Sequence, residues 1–323
     1  MELCRIVAML LVLLVHSGMV TFGDIGKYDL SYWGILVMES FAIVCVNMFV
    51  LISGYFSITF KWQSIVRLVW VCLFYSALSI VMSYVLHIPV SYKSFLFVSN
   101  SIWFIGTYIG LICCSPFLNA FVEKSSKQQL GGLILVLLIF QTWYDYVPRL
   151  INDLHRGYSI LSFCLLYLIA RYVRIYGMPK SFRKFGLVIY SCISLLISTA
   201  LIYAVAAHFH PRGMDDLLLR YSNPLVIAAS IGLFAFFERL DMSYSKVINY
   251  VAISCIAVLL FHTSPFCVQY VTSLFRQLFY NYSGIIVIIG WGGIVLCEFL
   301  AAVLVDQVRL QIERLIFRSF SKK

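Results

Sequence analysis

Residues 3–22 read LCRIVAMLLVLLVHSGMVTF. The run is long enough to cross a bilayer core, which takes about 20 apolar residues. Only Arg5 and His16 interrupt it with ionisable groups. It reads as a retained span rather than a cleavable signal peptide. No basic start precedes the apolar run, and no small-residue cleavage site lies near Ser17–Thr21.

Nine further segments repeat the pattern: 35–57, 68–88, 102–121, 130–147, 158–176, 186–207, 222–238, 249–272 and 284–306. They predict an all-α, polytopic membrane protein of about ten transmembrane helices joined by short loops. Residues 1–306 then form a single transmembrane domain, followed by a basic cytoplasmic tail at 307–323. That tail is either a helix lying on the anionic inner leaflet or an ordinary positive-inside anchor.

Composition excludes the other broad classes. Hydrophobic residues make up 62% of the 323 and charged residues 12%, where a soluble surface needs about a quarter charged. Mean hydropathy is +0.94, and disorder needs the opposite balance. The net charge of +10 reads as topology rather than nucleic-acid binding. With the N-terminus inside, 17 of the 24 Lys and Arg fall at cytoplasmic ends and 7 outside. That bias places both termini in the cytoplasm. All 10 cysteines lie in or at the ends of apolar runs, none in a CxxC pair, so neither a disulfide framework nor a zinc site is expected.

Ionisable side chains inside a span are functional candidates by default. Here they are Arg5, His16, Glu39, His262 and Glu298. Arg5 and His16 are eleven steps apart. At about 100° per residue this returns to within roughly 20° of the same face, about 16 Å further along the axis. The pair marks a polar passage, or else Arg5 snorkels and His16 bonds a backbone carbonyl. A buried histidine suits general-base work, because desolvation disfavours its cation and neutral imidazole can take a hydroxyl proton. Glu39 either orients that ring or is a carboxylate at the outer boundary. His262 either serves the acceptor or the acyl group, or is a structural histidine satisfied beside Thr263. Glu298 reads as a packed hydrogen-bond partner. His208, His210, Asp215 and Asp216 read as a solvated loop, so no metal is expected.

Four stretches carry a resemblance in order along the chain: ELCRIVAMLLVLLVH (Glu2 to His16), VNMFVLISGYF (Val46 to Phe56), WFIGTYIGLICCSPFLN (Trp103 to Asn119) and VLLFHTSPF (Val258 to Phe266). The sequence resembles the acyltransferase-3 superfamily of integral membrane acyltransferases, which includes bacterial O-acetyltransferases of surface sugars. The resemblance implies ten spans in the inner (plasma) membrane and a cytoplasmic acyl-CoA, acetyl-CoA, as co-substrate with no permanently bound cofactor. It implies transfer of the acyl group to a hydroxyl of a surface glycan or its lipid-linked precursor. It makes Arg5 and His16 catalytic and sets Lys61 and Arg67 against the donor, unless those two only obey the positive-inside rule. Lys61 stands where the family often has Arg, and lysine offers phosphate only a point charge. Trp103 and Tyr108 fall in a motif that the family retains. With Glu39 and His262 they are candidates for the acceptor site or its support. The main competing reading is a polysaccharide or lipid-linked sugar transporter or flippase. Paired helix interruptions in two halves would mark one, and the sequence shows none in matching positions.

Overall fold

A computed structural model describes residues 1–21, 30–88, 103–146, 155–206 and 217–320. The histidine and aspartate cluster at 208–216 lies outside them. The described residues are helical, with no strand among them. The helices are α1 (Glu2–Thr21), α2 (Leu30–Ala42), α3 (Cys45–Phe56), α4 (Trp62–Val85), α5 (Trp103–Lys124), α6 (Lys127–Tyr146), α7 (Ile160–Tyr176), α8 (Lys180–Ala206), α9 (Pro224–Arg239), α10 (Lys246–Ala252), α11 (Cys255–His262), α12 (Pro265–Asn281) and α13 (Ile285–Phe320). By length and composition, five described helical segments can cross a membrane, or six if the bent pair α11 and α12 counts as one. The chain is therefore a multi-pass membrane protein.

Two segments expected as single helices are interrupted. The stretch 35–57 breaks at Ile43–Val44, between α2 and α3. The Phe41 carbonyl, which an unbroken helix would pair with the N–H four residues on, accepts instead from the Tyr190 hydroxyl at 2.7 Å. The stretch 249–272 breaks twice, and α12 departs from α11 by 76°. Pro265 explains the second break. It has no N–H to donate, and its ring clashes with the carbonyl four residues back. That carbonyl, of Phe261, takes the Ser264 hydroxyl at 2.5 Å, and Leu259 O takes the Thr263 hydroxyl at 2.9 Å.

α1 is the central helix. Being apolar on nearly every side, it has no face for water, and it packs against α2, α3, α10, α11, α12 and α13. Small residues bring other pairs close, as in membrane bundles generally. A Cβ on Gly54 of α3 would lie 2.7 Å from Tyr167 O on α7. The turn that follows α3 is tied down by the same neighbours. Asn119 of α5 donates to Ile58 O at 2.9 Å, and the Tyr167 hydroxyl meets both Asn119 Oδ1, at 2.7 Å, and Ile58 N, at 3.1 Å. This fixes the chain just before Lys61.

The last helix continues as helix past residue 306, so the boundary drawn there falls inside α13. Asp306 is fully buried and accepts from Tyr75 of α4 and from Arg309, which also pairs with Glu313. Arg309 is thus a packed residue, 4% exposed.

Candidate active site

On α1, Met9, Val12 and His16 are spaced three and four apart, on the stripe that also carries Arg5. They line a cavity of about 300 Å³. Val46 and Phe49 of α3 and Trp103 and Phe104 of α5 form further walls. Ile256, Leu259 and His262 of α11 and Val268, Val271, Thr272 and Phe275 of α12 form the remaining walls, with Tyr221.

Two of the sequence candidates meet there. The rings of His16 and His262 stack with centroids 5.0 Å apart and planes 7° from parallel. His262 Nδ1 lies 2.6 Å from Glu298 Oε1. Both residues are 7% exposed, so this contact replaces water for each. When the carboxylate is ionised it only accepts, and the hydrogen of a neutral His262 ring then lies on Nδ1, with Nε2 left to accept. The Cys267 thiol donates to the same carboxylate oxygen at 3.1 Å. Next to His16, the Ser17 hydroxyl donates to Leu14 O and accepts from Trp291 Nε1 of α13, both at 2.7 Å. This pins the C-terminal part of α1 against the helix that carries Glu298. The arrangement puts two imidazoles and one carboxylate at the edge of a mostly apolar chamber. Such a group can take a proton from a hydroxyl, hold it, and return it to a leaving group.

The remaining candidates are placed as follows. Arg5 pairs with Glu2, one turn back, at 2.5 and 2.6 Å; it does not line the cavity. Trp103 does, with its ring 4.3 Å from that of Tyr158. Tyr108 is behind this wall, stacked on Phe104 and 3.1 Å from the Ser53 hydroxyl. Glu39 is buried in α2 and is not among the lining residues; Glu298 is a carboxylate at hydrogen-bond distance from a cavity histidine. Lys61 is exposed at the start of α4, and Arg67, whose side chain is 73% exposed, stands 3.8 Å from Glu313 of α13. Lys61 directly precedes α4 and Arg67 is in its second turn; neither lines the histidine cavity. No cluster of three metal-ligating side chains occurs among the described residues.

Sequence reasoning missed the His262–Glu298 pairing and the contribution of α12. One signal was available: Ser264–Pro265 directly after His262 marks a helix end, which turns the following residues into a wall instead of a continued span.

A family model for acyltransferase domains matches residues 1–304. No curated protein and no solved structure matched the chain.

Proposed function

Because the chain belongs to the acyltransferase-3 family, matched over residues 1–304, and is a membrane acyltransferase, we propose that its histidine cavity is where a hydroxyl takes the acyl group from acyl-CoA. The observation that carries this reading is the stacked His16–His262 pair, with Glu298 on Nδ1 of the second ring, at the edge of a cavity of about 300 Å³. The acceptor hydroxyl gives its proton to His16 while its oxygen attacks the thioester carbonyl. The C–S bond breaks, and the CoA thiolate recovers the proton from the imidazolium. Glu298 supplies negative charge beside the ring pair, which stabilises the cation while it exists. A second reading makes His262 the base, since it is the ring that Glu298 orients. Comparing His16→Gln with His262→Gln separates them, because only the base is indispensable for proton transfer.

The finer proposal is that the acyl group is acetyl, that the donor is cytoplasmic acetyl-CoA, and that the acceptor is a cell-surface glycan or its lipid-linked precursor in a bacterial inner membrane. Lys61 and Arg67 support the donor side: both are exposed cations at one end of the bundle, where CoA phosphates would arrive. Lys61→Ala and Arg67→Ala each weaken use of the donor. A charge-assisted contact is worth about 1.5–3 kcal/mol, so the acetyl-CoA concentration for half-maximal transfer rises roughly tenfold or more. Unchanged donor dependence in both variants would assign these residues to topology alone.

We also propose ten crossings with both termini in the cytoplasm, supported by the basic-residue bias. Reporters fused after Lys323 and within residues 144–157 then label opposite sides of the membrane; same-side labelling rejects the arrangement. The transport reading called for interrupted helices. Three of the carbonyls at the breaks are taken up inside the protein, by Tyr190, Thr263 and Ser264. That favours a fixed reaction chamber over a coordination site for a moving solute. Wild-type membranes that move label from [14C]acetyl-CoA to envelope glycan support the acyltransfer reading, and membranes that do not transfer it reject acetyl-CoA as the donor.

A further inference from the structure

Threonines in helices usually satisfy their hydroxyl on the carbonyl four residues back. This chain follows that habit. Thr107 donates to Trp103 O, Thr142 to Leu138 O, Thr199 to Leu195 O and Thr263 to Leu259 O, all at 2.7–2.9 Å. Thr272, in α12, makes no such bond to Val268 O, and its hydroxyl has no hydrogen-bond partner among the described residues. It also lines the histidine cavity. A hydroxyl left unsatisfied on a wall of an active-site chamber is a place for a substrate hydrogen bond.

The position of α12 says which substrate. The 76° bend comes immediately after His262, so α12 turns across the end of the cavity where the histidines stand. Arg5 is about 16 Å from His16 toward the other end of α1, and neither it nor the exposed cations Lys61 and Arg67 line the cavity. α12 is amphipathic in the required sense. Phe275 is 1% exposed and Val271 and Thr272, on the same side, are partly buried, while Tyr270 and Ser273 on the other side are exposed. The inner stripe is otherwise apolar (Val268, Val271, Phe275), which leaves Thr272 as its polar group at the cavity. The α12 residues that line the cavity carry no charge; an uncharged hydroxyl-rich acceptor would find one donor and acceptor group there.

We propose that Thr272 is an acceptor-binding residue: its hydroxyl hydrogen-bonds a hydroxyl or ring oxygen of an uncharged glycan as that glycan reaches His16. The proposal rests on the reading of the histidine cavity as the site of acyl transfer. The test uses membranes holding the full chain, [14C]acetyl-CoA and envelope glycan prepared from the native cells, with both concentrations varied. Thr272→Val keeps the shape and removes the hydroxyl. Transfer at low glycan concentration should fall roughly three- to tenfold, the cost of one neutral hydrogen bond, with the dependence on acetyl-CoA unchanged. Thr272→Ser, which restores the hydroxyl, should recover most of that loss. Wild-type glycan dependence in Thr272→Val overturns the proposal while leaving the histidine site standing. A shift in acetyl-CoA dependence overturns it too, by moving Thr272 to the donor side. A loss that Thr272→Ser does not recover shows a packing role and overturns it as well. Absence of transfer in the wild type removes the acetyl-transfer reading and this assignment together.

Discussion

His16→Ala lowers transfer by about 10²–10⁴-fold, the usual cost of losing a general base, while the protein still inserts and accumulates. Insertion survives because His16 is only half-buried, at a cavity wall, and α1 keeps its apolar packing. His16→Gln is the sharper variant. Glutamine retains hydrogen bonding and near-equal bulk, but it cannot take a proton near neutral pH. If His16 is the base, Gln is about as inactive as Ala. A well-inserted His16→Gln protein with near-normal turnover ends the proposed role of His16 and leaves His262 as the candidate base. Arg5→Lys adds a contrast on the same stripe. It keeps the charge and loses the planar fork, of which one nitrogen, Nη1, here meets both oxygens of Glu2. Partial activity means the charge suffices, and complete loss means the fork geometry matters.

Glu298→Gln produces the second large loss, again on the order of 10²-fold or more, because proton transfer through a ring pair depends on the charge that stabilises the cation. The amide keeps the shape of the carboxylate, so packing around Phe299 and Ala302 is preserved. It also changes the pairing. An amide can present its N–H₂ to Nδ1 and favour the other tautomer of His262, which a carboxylate cannot do. Membrane-inserted Glu298→Gln with wild-type turnover would falsify the role given to Glu298 and reduce the contact to packing. Running Glu39→Gln beside it controls for the loss of a buried carboxylate elsewhere in the bundle. Glu39 does not line the cavity, so its substitution leaves the rate of transfer within a few-fold of wild type.

The separation of these two carboxylates illustrates what a sequence carries. Each is a single acidic residue within an apolar stretch, and nothing local distinguishes them. Periodicity does carry facts about one helix. The eleven-residue step from Arg5 to His16 assigns them to one stripe of α1 through the fixed turn per residue. In the structure, Met9 and Val12 of that stripe lead to His16 at the cavity. Helix content, the membrane as solvent and the family were legible for a similar reason. They depend on composition and on short motifs that each lie within one helix or its end, such as the VNMFVLISGYF stretch.

Relations between helices were not legible, because they depend on depth and rotation, which packing sets. His16 and His262 stack although they belong to helices at opposite ends of the chain. They meet because α11 packs on α1 and ends at the level of His16. Glu298 reaches His262 across 36 residues because α11 also packs on α13. The interruption at Ile43–Val44 needed Tyr190, a residue from α8, to take the freed carbonyl. Pro265 stood in the sequence as a helix breaker. That the helix beyond it would turn by 76° and wall the cavity was decided by the tertiary structure alone. Local chemistry sets where a helix can end, and the burial of its apolar face sets where it goes next.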